Sequence, residues 1–208
     1  MGMEHFKKNM RTIEDTFKNA EFLQQKVYFT YRLGSRKDLK EMFIKSFKYY
    51  DKTIVEYKHL PAYDEIIDWM VDNKGRGLML MGECGLGKST ILKYVIPAII
   101  RTKINKVLIC VPAKELGPIE RNEKPFIVID DIGTESIKND FGTRVDAVSD
   151  AISYAEDSSK TILTSTNLTP IQLQAKYDER TLDRLRRCKV VKFEGESLRA
   201  KQTLRKEC

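Results

Sequence analysis

A chain of 208 residues with 41% hydrophobic and 32% charged side chains has a globular make-up, with room for one full-sized domain plus a smaller appendage. No apolar run approaches the ~20 residues of a helical membrane span, and the four cysteines, Cys84, Cys110, Cys188 and Cys208, form no Cys-x-x-Cys pair, which argues against a zinc site or a disulfide framework. The net charge of +7 is compatible with nucleic acid and is concentrated late in the chain, where residues 180–208 hold ten Lys and Arg against four acids.

The chain opens without the apolar core of a secretory signal, and Phe6 stands where a myristoylation signal has Ser or Thr, so a cytoplasmic protein is expected. Phe6, Met10, Ile13 and Phe17 recur at spacings of three and four, which predicts a helix over residues 4–30. Gly34 breaks the pattern and Ser35 is a plausible N-cap. A second stripe runs through Leu39, Phe43, Phe47, Tyr50, Ile54 and Tyr57 and stops at Pro61. Residues 1–60 are therefore expected to form a small helical module, distinct from a larger domain over 61–208. Its stripes suit ordinary core packing or a partner-binding surface.

Ile66, Ile67, Trp69, Met70 and Val71 predict a further amphipathic helix that ends at Asn73-Lys74-Gly75. Beyond it, short apolar runs alternate with helical patterns. Strands are expected at 78–81, 106–111, 126–129, 160–165 and 189–193, with helices after Gly87 and after Gly142. That alternation predicts an α/β fold, a mainly parallel five-stranded sheet with helices on both faces.

Directly after the first strand stands "GECGLGKST", which fits G-x-x-x-x-G-K-[ST] through Gly82, Gly87, Lys88 and Ser89. Its physics is a loop whose backbone N–H groups turn inward around a phosphate. Gly82, Gly85 and Gly87 permit the unusual dihedrals, and a helix beginning at Lys88, Ser89 and Thr90 aims its N-terminal dipole at the same anion. Lys88 would reach the β- and γ-phosphates of ATP, and Ser89 would bind Mg²⁺. The strand before and the helix after supply the context the motif requires.

"FIVIDDIGTE" then ends a doubly buried strand on two adjacent carboxylates, Asp130 and Asp131, an arrangement that is costly unless something positive stands opposite. A metal-binding carboxylate at the end of a second strand is what a P-loop nucleotide site needs. Asp130 is placed to hold Mg²⁺ and Asp131 to polarise the attacking water, with Glu135 a weaker candidate for the same work.

With these two motifs placed, residues 63–201 resemble the AAA+ ATPases of the helicase-loader group, which includes the bacterial loaders DnaC and DnaI and the transposition helper IstB. "IDDIGTE" resembles that group's Walker B strand. "TILTSTNL" resembles its sensor 1 strand, which makes Asn167 the residue that orients the attacking water. "YDERTLDRLRR" resembles the box carrying the arginine finger, with Arg184 first in line and Arg180 second; on a helix Arg180, Arg184 and Arg187 share one face. "FEGESLR" resembles the closing segment, with Arg199 as sensor 2. The resemblance implies a three-layer P-loop AAA+ sandwich, ATP and Mg²⁺ as cofactors, and an arginine acting in trans, hence self-association through the ATPase domain. The segment between the second and third strands is shorter than the group's usual helical insertion, and the N-terminal helices carry no signature of the group.

The function expected from this resemblance is an ATP-dependent loader that binds a hexameric replicative helicase of the DnaB type and delivers it to single-stranded DNA. A transposition helper on duplex DNA and a non-hydrolysing, nucleotide-dependent helicase adaptor are the alternatives. A small-molecule kinase ranks last, because no acceptor site is evident.

Overall fold

The computed structural model describes residues 29–51, 57–117, 124–136, 138–140 and 143–198. The helix expected over residues 4–30 falls almost wholly outside them. Ser35 does cap the next helix: its hydroxyl accepts the Asp38 N–H at 3.2 Å, and α1 runs over Arg36–Tyr50. Pro61, whose missing N–H costs nothing in a first turn, opens α2 (Pro61–Val71).

Among the described residues seven strands follow. They are β1 (Leu78–Gly82), β2 (Cys110–Pro112), β3 (Phe126–Asp130), the short antiparallel pair β4 (Lys138–Asp140) and β5 (Thr143–Val145), β6 (Thr161–Thr166) and β7 (Lys189–Phe193). Helix α3 starts at Lys88–Thr90, is π-helical over Ile91–Val95 and continues over Ile96–Ile104. After it come α4 (Ala147–Asp157), α5 (Pro170–Lys176) and α6 (Glu179–Arg186).

The main sheet has the order β2-β3-β6-β1-β7, and every pairing in it is parallel. Strand periodicity divides its side chains between two layers. Leu78 and Leu80 of β1, with Phe126 and Val128 of β3, join the cluster formed by α1, α2 and α3. Met79 and Ile129 face the other way, into the cluster formed by α4, α5 and α6. The expected α/β three-layer sandwich of AAA+ type is the observed architecture.

Two expectations need correction. Residues 106–109 are not strand: only Cys110–Pro112 pairs with β3, and Val107 and Ile109 are exposed. An edge strand has a single neighbour, so its apolar run need not pair throughout. The helix after Gly142 begins only at Ala147, where Asp146 accepts the Ser149 N–H at 3.1 Å, and the β4–β5 hairpin precedes it. Among the described residues, the α1 side chains share a core with the sheet. Leu39, Phe43 and Phe47 of α1 are buried in one cluster with Leu80, Leu92 and Val191. An apolar stripe reads the same whether it meets a sister helix or a sheet-backed layer.

Phe47 reaches furthest, since a Cβ built on Gly87 would stand 2.7 Å from its ring. Phe47→Ala should therefore destabilise the whole domain by about 3–5 kcal/mol in urea denaturation, as for other buried Phe truncations. A loss below about 1 kcal/mol would mean that α1 is an appendage.

Candidate functional site

The ends of β1, β3 and β6 lie side by side, because β6 is hydrogen-bonded to both of the others. Their C-terminal ends present the glycine-rich loop, the acidic pair and Asn167 to one another. These elements surround a polar pocket of about 190 Å³ lined by Asp51, Cys84, Gly85, Gly87, Lys88, Ser89, Thr90, Asp131 and Asn167.

The loop starts at Gly82 and turns into α3 at Gly87, whose φ of +86° is one that residues with a Cβ rarely adopt. Gly85 has a second constraint, since a Cβ there would stand 2.2 Å from the Ser197 hydroxyl oxygen. The Gly85 carbonyl also accepts the Leu198 N–H at 2.9 Å, so the segment leading to Arg199 is seated on the loop. Arg199 itself lies outside the described residues.

Lys88 is 5% exposed, and its ammonium donates to the Gly82 and Glu83 carbonyls at 2.7 and 2.6 Å and to Asn167 Oδ1 at 2.8 Å. Asn167 passes the chain on: its Nδ2 donates to Asp131 Oδ1 at 2.9 Å. Thus Lys88, Asn167 and Asp131, expected from separate motifs, form one hydrogen-bonded chain along the pocket wall.

Asp130 is 3% exposed, which a carboxylate tolerates only with strong partners. Oδ1 accepts the Ser89 hydroxyl at 3.1 Å and the Ser165 hydroxyl at 2.6 Å, while Oδ2 lies 2.8 Å from the Lys93 ammonium. The hydrogen bond to Asp130 holds the Lys93 pKa above its ordinary value. Lys93 is thus the positive group opposite the acidic pair. The oxygens of Ser89 and Asp130 suit a hard cation such as Mg²⁺. Among the described residues no group of three His, Cys, Asp or Glu could hold a metal ion by itself.

Two expected residues stand elsewhere. Glu135 is 8% exposed and fully engaged, accepting the Tyr177 hydroxyl at 2.6 Å and the Gly133 N–H at 2.7 Å, with Lys176 at 3.3 Å. Burial, and then this bond, push the Tyr177 pKa well up. Glu135 therefore ties the turn after β3 to the end of α5 and is committed there. Arg184 points into its own chain: its side chain is 9% exposed, and it donates to the Ser153 hydroxyl at 2.6 Å. Arg187 is held by Glu156 at 2.6 Å, whereas Arg180 is exposed.

Asp51, Lys93 and Ser165 were not foreseen. Lys93 follows Ser89 at i+4 on a helix, a legible signal, and Ser165 lies on the neighbouring strand to Asp130. Asp51, which accepts the Thr90 hydroxyl at 2.8 Å across 39 positions of sequence, left no signal at all.

Burial first and Asp130 second raise the Asp131 pKa above its ordinary value. The ionised form is thus the disfavoured one in the fold. Stability from this group is complete below about pH 3.9, the ordinary Asp value, and falls as pH rises through the raised pKa. Asp131→Asn should raise the melting temperature at neutral pH, by the equivalent of about 1 kcal/mol or less because the group is partly exposed. The gain should vanish in acid; an equal gain at all pH values would rule out this cause.

The family model of novel STAND NTPase 3 matches residues 57–206, which takes in the loop, the acidic pair and Asn167. No curated protein matches the chain. Among solved structures, that of the DnaC helicase loader is 16% identical with a TM-score of 0.53 over 71% of this chain and 99% of its own. That of DnaI is 20% identical with a TM-score of 0.51 over 77% of this chain and 93% of its own. The family match covers well over half of the chain. The chain belongs to the novel STAND NTPase 3 family and has the fold of the DnaC and DnaI structures.

Proposed function

We propose that this protein binds ATP with Mg²⁺, hydrolyses it slowly, and uses that cycle to hold a replicative helicase and deliver it to single-stranded DNA. The observation that carries the nucleotide half is the convergence of Lys88, Ser89, Asp131 and Asn167 on one pocket, with Asp130 hydrogen-bonded to Ser89 behind it. Magnesium-bound ATP, when held there, supplies the reactive γ-phosphoryl group and the cation that offsets its charge. Gly82, Gly85 and Gly87 keep side chains out of the loop, and the start of α3, from Lys88 to Thr90, turns backbone N–H groups toward an anion. Lys88 neutralises phosphate charge, and Ser89 and Asp130 hold the metal. Asp131 takes up the proton of the attacking water, aided by its raised pKa, while Asn167 keeps Asp131 and Lys88 in register.

The helicase half rests on the motif resemblance and on the likeness of fold to the DnaC helicase loader. The N-terminal 60 residues contact the helicase in this reading, and basic side chains take the DNA backbone. Self-association brings an arginine to a neighbour's site, and its exposure makes Arg180 a better finger than Arg184. Arg199 closes the site as sensor 2.

The inward turn of Arg184 favours a second reading: a nucleotide switch that binds a helicase without turnover. Lacking a finger, such a site would forgo the ~10³–10⁵ in rate that one supplies. Lys88→Ala should weaken ATP binding by at least about a hundredfold, and the wild-type protein should co-elute with its host's replicative helicase only with ATP and Mg²⁺. Co-elution with no hydrolysis, whether DNA is present or not, selects the switch. No complex with any nucleotide removes the helicase half.

A further inference from the structure

The wall of the proposed nucleotide site carries an acid as well as the phosphate-binding groups. Asp51 lines the same pocket as Gly85, Gly87, Lys88 and Ser89. It follows the last residue of α1, and its backbone N–H already closes that helix on the Phe47 carbonyl at 3.0 Å. A carboxylate at a helix C-terminus faces the negative end of the helix dipole, so capping does not account for an acid here. Nor does a triphosphate, which brings only acceptors and negative charge. What a nucleotide offers a carboxylate lies on its nucleoside: the ribose hydroxyls and the exocyclic amine of adenine.

The placement agrees. Asp51 accepts the hydroxyl of Thr90, the residue that follows Lys88 and Ser89, and so meets the pocket from the α1 side. The neighbouring side chains are aromatic. Tyr50 adjoins Asp51, Tyr94 is one helical turn past Thr90, and their rings stack at 5.1 Å while each stays exposed (42% and 47%). An acid beside an exposed aromatic surface suits a purine nucleoside, with the ring system on carbon and its donors on oxygen.

We propose that Asp51 is the nucleoside-selecting residue of this site, accepting a hydrogen bond from the ribose 2′-hydroxyl or from the adenine amine. This rests on the nucleotide-binding reading above. It brings α1, which lies outside the stretch matched by the family model, into the nucleotide site.

The test is equilibrium binding of ATP, 2′-deoxyATP and ITP, each with Mg²⁺, to the full chain and to its Asp51→Ala and Asp51→Asn variants, with melting curves to verify folding. The wild-type protein should prefer ATP over one analogue by about ten- to a hundredfold, the worth of a hydrogen bond to a charged group. Asp51→Ala should erase that preference by weakening ATP while leaving the analogue that lost its donor unchanged. Asp51→Asn, nearly isosteric and still an acceptor, should retain part of it. Loss against 2′-deoxyATP names the ribose; loss against ITP names the amine. Equal weakening of all three nucleotides by Asp51→Ala, no weakening, or a wild-type protein indifferent among them would overturn the assignment while leaving nucleotide binding intact. A wild-type protein that binds none of the three would overturn both.

Discussion

The Asp130 carboxylate, almost wholly removed from water at the end of β3, is the group around which this structure is arranged. Breaking a buried ion pair by deleting one partner typically costs about 3–5 kcal/mol, so the donors that meet Asp130 are requirements of the fold. Ser165 reaches it from β6, and Ser89 and Lys93 reach it from successive turns of α3. That convergence needs β6 between β1 and β3, the order that the sheet has. Topology and charge satisfaction meet here, because Ser165 reaches Asp130 only from the strand paired beside β3.

The glycine loop is held from both sides of the sequence. Phe47 of α1 packs against Gly87, and Asp51 takes the Thr90 hydroxyl. From the other end, Leu198 donates its N–H to Gly85, with Ser197 close by. A loop built from glycines gains its fixed shape from such neighbours, since its own backbone is the most permissive in the chain. Residues 36–51 are therefore packed as part of the loop's surroundings.

Asp131 shows the opposite economy from Asp130. Its backbone stands at φ +60°, in the left-handed region that residues with a Cβ enter at a cost, and burial and Asp130 both oppose its ionisation. The Ser165 hydroxyl accepts its N–H at 2.9 Å and Asn167 holds its carboxylate, so neighbours impose the geometry. An acid kept in a strained backbone with a raised pKa fits a proton acceptor better than a stabilising element.

The α/β layering and the glycine loop are legible in local sequence. The alternation of apolar runs with helical stripes, the G-x-x-x-x-G-K-S pattern, the capping Ser35 and the acid pair after "FIVI" all act through local periodicity or backbone geometry, and each is legible in a few consecutive residues. Which partner each side chain takes is set by the packing of the layers. Leu39, Phe43 and Phe47 declared that one face of α1 must be buried but not that it would be buried over the loop. Arg184 declared a helix face but not that Ser153 would be waiting there, and Glu135 read as a free acid until Tyr177, 42 positions on, was beside it. The physical reason is common to all of these. Periodicity reports the cost of leaving a group in water, whereas the identity of its partner depends on contacts between residues far apart in sequence, which exist only once the layers have packed.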